Sequence, residues 1–143
     1  MKLSTRTRYG IRAVIELAQH QADRPLQLKA IAERQDISIK YLEQLMGVLR
    51  SAGFVRSVRG AKGGYVLARP PAQITLYDVF RSLEGPVTTT ECVEDATSCE
   101  RSIDCAARKV WTQLEEAIRH VLAGITLADL IEQPHASTTE YQI

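Results

Sequence analysis

The three cysteines of this 143-residue chain, Cys92, Cys99 and Cys105, all lie within fourteen consecutive residues. Thiolates bind soft metals and iron–sulfur clusters, and thiols also pair as disulfides. Because three is an odd number, a complete set of disulfides is impossible. The residues therefore leave three interpretations open: an accidental cluster, a redox pair beside a spare thiol, or a metal centre.

The spacing of these cysteines differs from that of common metal-binding motifs. Six residues separate Cys92 from Cys99, and five separate Cys99 from Cys105, whereas zinc knuckles and many ferredoxins use two-residue gaps. A loop would let two thiolates approach a metal from outside. Cys105 would lie at the start of a helix predicted over 103–123, where backbone amides and the helix dipole favour the thiolate.

Charge divides the chain into two unlike halves. Residues 1–71 carry 13 Lys and Arg against 5 Asp and Glu, a net charge of +8, and residues 72–143 carry 5 against 12, a net charge of −7. Such asymmetry indicates a half that binds a polyanion and an acidic half with another task, and the alternative is a chance uneven distribution of solvated charge. Nucleic acid is preferred only if the basic half contains a recognisable binding element. We divide the chain into a basic domain over 1–71, a cysteine loop and long helix over 72–132, and a flexible polar tail over 133–143.

The basic half has the pattern of a helix-turn-helix. Apolar residues at helical spacing predict helices over about 5–21, 28–35 and 39–53. In a helix-turn-helix the second helix of the pair enters the major groove, and its first residues reach base edges. The alternative is an exposed polar face in a small helical domain. The side chains predicted to contact DNA are Ser38, Lys40, Tyr41 and Gln44.

A basic hairpin follows this motif directly. Two β-type runs, over 54–58 and 65–68, flank the sequence RGAKGG at 59–64. Its three glycines permit a tight turn, which leaves Arg59 and Lys62 on the tip. A basic hairpin after a helix-turn-helix is a wing, and Arg59 is placed to enter the narrow minor groove. The predicted fold is mainly α with a small β-hairpin wing: a winged helix-turn-helix domain plus a long dimerisation helix.

The acidic half supplies the elements that would hold the cysteines. Thr75 is expected to cap a helix over 76–83, and Thr126 a final one over 127–131. Between them, the helix over 103–123 carries a wide apolar stripe that must pack on its own core, on a second copy, or on both. We expect Trp111 in the core rather than in contact with a cofactor. We expect the stripe to form a homodimer seam, since paired recognition helices read operators one duplex turn apart. The stripe comprises Val110, Trp111, Leu114, Ala117, Ile118, Val121, Leu122 and Ile125.

Three segments of the chain resemble the IscR-type winged-helix transcription regulators. They are MKLSTRTRYGIRAVIELA, SIKYLEQLMGVLRSAGFVRSVRGAKGGYVLARP and ITLYDVFRSLEGP. The resemblance covers the chain to about Glu132. It implies a homodimeric bacterial regulator of near-palindromic operators, with an iron–sulfur cluster held by Cys92, Cys99 and Cys105. The 2Fe–2S form is favoured and 4Fe–4S is compatible. Cysteine-metabolism repressors of the same family imply the alternative, a cluster-free regulator gated by a partner protein or by thiol oxidation.

One position departs from the family pattern. Where IscR has a histidine three residues after its last cysteine, this chain has Arg108. The fourth ligand is therefore open: a loop carboxylate, a residue of the partner's first helix, or a small thiol or water. Nitric-oxide-sensing relatives use an N-terminal aspartate, but this chain has Arg8 in that region. The loop carboxylates are Glu91, Glu94, Glu100 and Asp104.

Other functional classes find little support in the residues. No Cys–His–acid arrangement is evident, and GAKGG lacks the Lys-then-hydroxyl ending of a phosphate-binding loop, so we do not expect an enzyme. No run approaches the roughly 18 apolar residues of a membrane span, and the N-terminus lacks the apolar run of a signal peptide. A cytoplasmic protein with reduced thiols is the expectation.

Overall fold

A computed structural model describes residues 1–20 and 24–132, so the tail predicted over 133–143 lies outside the described residues. The described chain is mostly helical with one antiparallel hairpin, as predicted. Two short 3-10 helices, Pro71–Gln73 and Ala96–Ser98, accompany the main elements. These are α1 (Thr5–Gln19), α2 (Leu28–Gln35), α3 (Ile39–Ser51), β1 (Val55–Val58), β2 (Gly64–Leu67), α4 (Leu76–Glu84), α5 (Glu91–Glu94), α6 (Ala106–Ala123) and α7 (Leu127–Glu132).

The first three helices enclose the main core. Ser4 caps α1 by accepting a hydrogen bond from the Thr7 amide at 3.1 Å, and α1 ends at Gln19, two residues before the predicted end. The turn between α2 and α3 passes through Asp36 in the left-handed conformation, with φ 52°. The side chains that meet between these helices are fully or almost fully buried. They include Val14, Ile31, Leu42, Leu45, Met46 and Leu49.

A polar network on the surface fixes the helix-turn-helix against α1. The Arg12 guanidinium donates to the Gln35 side chain at 2.7 Å and to the Gln35 carbonyl at 3.1 Å. Glu16 accepts from Gln35 at 2.8 Å and forms an ion pair with Arg34 at 2.7 Å. Because Gln35 is the last residue of α2, these bonds hold the turn that aims α3.

The hairpin begins one residue later than predicted because Phe54 completes the end of α3. Gly53, with φ 83°, lets the Phe54 amide donate to the Leu49 carbonyl at 3.0 Å, the six-residue closure of a Schellman motif. Phe54 is then buried, and β1 starts at Val55. β1 and β2 pair in antiparallel register from Val55 with Leu67 to Val58 with Gly64.

The same core extends past the predicted division at residue 71. Thr75 caps α4, and the Leu76 amide donates to the Ile125 carbonyl at 2.8 Å. Thr126 and Asp129 form a reciprocal capping box at α7, with bonds of 2.9 and 3.2 Å. Leu127 is fully buried in this core. The assignment of different tasks to 1–71 and 72–132 stays a prediction.

The long helix differs from its prediction in two ways. α6 begins at Ala106 rather than near Ile103, because Ser102 is buried and its hydroxyl donates to the carbonyls of Ala96 and Cys99, which folds residues 100–104 into turns. The expectation that Trp111 lies in the core is wrong for the protomer, where it is 40% exposed. Across 1–20 and 24–132, no helix is long and apolar enough to cross a bilayer.

Candidate nucleic-acid interface and cysteine segment

The start of α3 presents polar side chains outward. Lys40 and Gln44 are exposed, and Ser38 caps the helix by accepting from the Tyr41 amide at 3.1 Å. The Ser38 hydroxyl hydrogen therefore stays available for a phosphate or base. Tyr41 is half-buried, because its ring packs edge-on against the Tyr9 ring at 6.3 Å between centroids. Its side chain is thus held in place from behind.

The wing presents two cations at its tip. Arg59 and Lys62 are both exposed, and the Gly63 amide closes the turn on the Gly60 carbonyl at 3.0 Å. Neither cation forms an ion pair within the described ranges, where the one ion pair joins Arg34 to Glu16. The tip can therefore meet a polyanion without first breaking an internal salt bridge.

The first helix adds cations that the sequence analysis did not assign to the interface. The Arg8 and Arg12 guanidinium carbons lie 6.0 and 5.2 Å from the centroid of the Tyr9 ring, which in turn contacts Tyr41 on α3. These residues extend the positive surface beside the recognition helix. The signal was the i, i+4 spacing of two arginines around a tyrosine in RTRYGIR.

The cysteines lie in three different parts of residues 86–105, the cysteine segment. Cys92 is half-buried on α5, with its Sγ 3.2 Å from the Thr90 hydroxyl. Cys99 is exposed after the second 3-10 helix, and Cys105 is the half-buried N-cap residue of α6. All three are free thiols. The segment was predicted as a loop, but it contains α5 and a 3-10 helix.

The segment's donor atoms suit iron, but its geometry does not gather them. Within the described residues no three His, Cys, Asp or Glu side chains are grouped as a metal site. Residues 86–105 include a single buried residue, Ser102, so drawing the three thiols together would disturb almost none of the core. If the three thiols were drawn together, Cys92, Cys99 and Cys105 would supply the thiolates of a cluster, and the fourth ligand stays open.

Arg108, at the position where the family resemblance led us to look for a histidine, takes a structural role. Its Nε donates to the Cys92 carbonyl at 2.8 Å, which joins α6 to α5. Nearby, the Glu115 carboxylate accepts from the Thr89 amide at 2.5 Å and from the Thr89 hydroxyl at 3.0 Å. These bonds attach both ends of residues 89–92 to one face of α6.

A second carboxylate joins α1 to the start of the cysteine segment, where α4 ends. Glu84, the last residue of α4, accepts from the Ser4 hydroxyl at 2.6 Å and from the hydroxyl of buried Thr7. The Ser4 and then the Thr7 hydroxyl bonds hold the pKa of the Glu84 carboxyl below its ordinary value. Gly85 and Pro86 follow at once, so the chain enters the cysteine segment from an anchored point.

An exposed recognition helix, a basic hairpin after it and a bracing first helix define a winged-helix DNA-binding protein. A family model described as "Rrf2: Iron-dependent Transcriptional regulator" matches residues 3–133. The chain belongs to this Rrf2 family of transcriptional regulators, which confirms both the suspected family and the expectation that it is not an enzyme.

Several solved structures are similar to this chain. The transcriptional regulator CymR of Bacillus subtilis is 45% identical over 130 residues, which cover 91% of this chain and 89% of CymR. Its structure, described as that of the global cysteine regulator, has a TM-score of 0.79 and covers 92% of this chain and 96% of the other. T. potens IscR is 44% identical at a TM-score of 0.75, covering 92% and 86%.

Staphylococcus aureus CymR in an oxidized form is 41% identical at a TM-score of 0.76, covering 94% of this chain and 98% of the other. B. subtilis CymR and T. potens IscR match this chain at the same identity, 44%, in the structural comparison. Overall similarity therefore does not decide whether this chain is more like a CymR or more like an IscR.

Proposed function

We propose that this protein is a homodimeric regulator that binds operator DNA and whose affinity or operator choice is set by the state of the cysteine segment. The observation that carries the proposal is the division of labour in the fold. The exposed cations of α3 and the wing lie on the basic half, whereas all three thiols lie on a segment that buries one residue.

The DNA contacts are assigned by side-chain chemistry. Lys40 and Gln44 are directed toward base edges, where Gln pairs bidentately with adenine and Lys reaches guanine or a phosphate. Ser38 and Tyr41 contact the backbone at the helix start. Arg59 and Lys62 on the wing contact phosphates, with Arg59 entering the minor groove. These six residues remain an assignment that DNA-binding measurements must test.

A second copy is the proposed occupant of the exposed face of α6. Val110, Leu114 and Val121 are 54%, 45% and 58% exposed and recur on one face with Trp111. A two-fold dimer would cover the same patch on both copies and set two recognition helices roughly 34 Å apart, one duplex turn.

The first candidate for the controlling group is an iron–sulfur cluster on Cys92, Cys99 and Cys105. Its support is the set of three free thiols within fourteen residues, the description of the matching family as iron-dependent, and the similarity to an IscR. The 2Fe–2S form remains favoured and 4Fe–4S compatible. A bound cluster would supply a redox- and iron-sensitive cross-link between α5 and the start of α6.

Anaerobic purification tests this candidate. The expected protein is coloured and holds iron and acid-labile sulfide in stoichiometric amounts, and footprinting should show that loaded and apo protein differ at least several-fold on one operator. Replacing any one cysteine by Ala should abolish or strongly destabilise the cluster. Ser98→Ala, an exposed neighbour in the same segment, is the matched control. Full iron content in the Cys99→Ala protein would contradict the three-thiol assignment.

The second candidate is a cluster-free thiol switch. The observation in its favour is that Cys99 is exposed and that the described residues bring no three metal ligands together. Similarity to an oxidized CymR also supports it. Treating iron-free protein with a mild oxidant should then change operator affinity reversibly, and Cys99→Ala should remove that change. Operator binding that ignores oxidation in iron-free protein would exclude this candidate.

A further inference from the structure

A polar cavity lies where α4, the linker after it, α5 and α6 meet. Its volume is about 310 Å³, and four charged side chains line it: Arg81 on α4, Glu94 on α5, and Glu115 and Arg119 on α6. None of these residues serves the proposed DNA contacts, and none is a cysteine. Their convergence from three helices calls for a separate explanation.

The two arginines of the cavity are available to a ligand. Arg81 and Arg119 are exposed, and neither forms an ion pair in the part of the chain that the structure describes. Guanidinium groups bind carboxylates through paired, charge-assisted hydrogen bonds. Two of them lining one cavity therefore favour a ligand that carries a carboxylate.

The two glutamates narrow the class of ligand. Glu115 is only 7% exposed and is held by the Thr89 amide and hydroxyl, so its carboxylate is fixed in position. Glu94 faces the same cavity from α5. A dianion such as phosphate would meet two carboxylates, and a simple cation would meet two guanidiniums. A molecule with one carboxylate and one ammonium group matches both pairs.

We propose that this cavity binds a small free α-amino acid. Its volume is near the lower end of the roughly 300–1,000 Å³ typical of ligand sites, which selects a short side chain. The site touches α4 in the main core and α5, which carries Cys92, so an occupant would restrain the cysteine segment from its side. Glu94 is also one of the four loop carboxylates considered as a fourth cluster ligand, but the proposal uses none of the thiols and stands with or without a cluster.

The cavity and the proposed dimer face occupy different sides of α6. At about 100° of rotation per residue, Arg119 lies about 160° around the helix from Val121, and Glu115 about 120°. Trp111, at the edge of the proposed dimer face, lies about 40° from Glu115 and about 80° from Arg119, so a second copy would border the cavity on the Glu115 side and leave the Arg119 side open. Amino-acid binding is therefore expected in the dimer.

Calorimetric titration of the purified full chain tests the site without DNA. Glycine, L-alanine and L-serine are titrated beside L-lactate, which lacks the ammonium group, and ethanolamine, which lacks the carboxylate. At least one of the three amino acids should bind with a Kd below about 1 mM, and lactate and ethanolamine at least ten-fold more weakly. Absence of saturable binding by all three amino acids overturns the proposal, as does equal binding of L-lactate.

Variants of exposed residues locate the binding. Arg81→Gln and Arg119→Gln should each raise the Kd for the amino acid at least five-fold. Lys109→Gln, which changes an exposed cation elsewhere on α6, should leave this Kd unchanged. Circular dichroism should show unchanged helix content in all three variants, since none of these side chains is buried. Wild-type affinity in the Arg81→Gln, Arg119→Gln double variant would place the ligand elsewhere and refute the site.

Discussion

A charge placed at Val121 should separate the proposed dimer while leaving the protomer folded. Val121 is 58% exposed in the protomer, and covering that fraction is worth about 1 kcal/mol of apolar burial. An Asp there would lose this burial and also leave a polar group without a partner, which costs at least about 1 kcal/mol more. Two-fold symmetry places the change in both copies, so we expect a loss of about 4 kcal/mol, or about a thousand-fold in dimer Kd.

Sedimentation equilibrium over a wide concentration range measures this loss directly. Ala123→Asp is the matched control: it adds the same charge two residues away, at an exposed position about 160° around α6. Val121 is a sharper site than Ile118, which is already half-buried within the protomer and would test the protomer's own packing as well. A Val121→Asp protein that dimerises as tightly as the control would refute the α6 seam.

Three further predictions test the wing, the hairpin and the anchor of the cysteine segment. Arg59→Ala should reduce the slope of log affinity against log salt by about two in a dimer, one per lost phosphate contact, whereas Arg101→Ala in the acidic half should not. Gly64→Ala should lower the free energy of unfolding, measured with urea, by about 1–3 kcal/mol, since φ is 151° and a Cβ would lie 2.4 Å from a backbone oxygen. Gly47→Ala, which has open space around a helical backbone, should raise the free energy of unfolding. The Ser4 and Thr7 hydroxyl bonds lower the pKa of Glu84 from its ordinary 4.5, so the stability that wild type gains over Glu84→Gln should be full above pH 4.5 and be lost as pH falls through the lowered pKa. A difference that is constant from pH 7 to pH 3 would contradict this role of the Glu84 bonds to Ser4 and Thr7.

The DNA-binding half was predictable because its local signals agree with its tertiary packing. Ser38, Gly53 and Thr75 each perform the capping role that their residue types favour, and the glycines of the wing allow its turn. Leu42, Leu45, Met46 and Leu49, which recur at helical spacing along α3, are its buried side chains. Where periodicity, caps and turn residues all indicate the same element, sequence is sufficient.

The sequence was a poorer guide wherever a boundary depended on a distant partner. Helical periodicity extended α6 back to Ile103, but the buried Ser102 hydroxyl takes two upstream carbonyls and delays the start to Ala106. The Glu84 contact with Ser4 and Thr7 spans about eighty positions, and no local pattern signals it. Trp111 was misplaced because its periodicity is the same for a core face and for a face left to a second copy.

The distribution of buried side chains separates the part that keeps this protein folded from the segment that we propose as the sensor. Every buried apolar residue of the described chain lies outside 86–105, within residues 1–74, α4 or α7. The segment from 86 to 105 is attached instead by polar bonds, from Arg108 to Cys92 and from Glu115 to Thr89, and by its anchored root at Glu84. A segment with few buried apolar contacts opens at low free energy, so a ligand, a cross-link or a second copy can reset its geometry without unfolding the core. The root of the segment is bonded to the first turn of α1 through Glu84, and Tyr9 of α1 contacts Tyr41 of α3. Under the proposed function, this path would carry a change in the segment to the recognition helix α3.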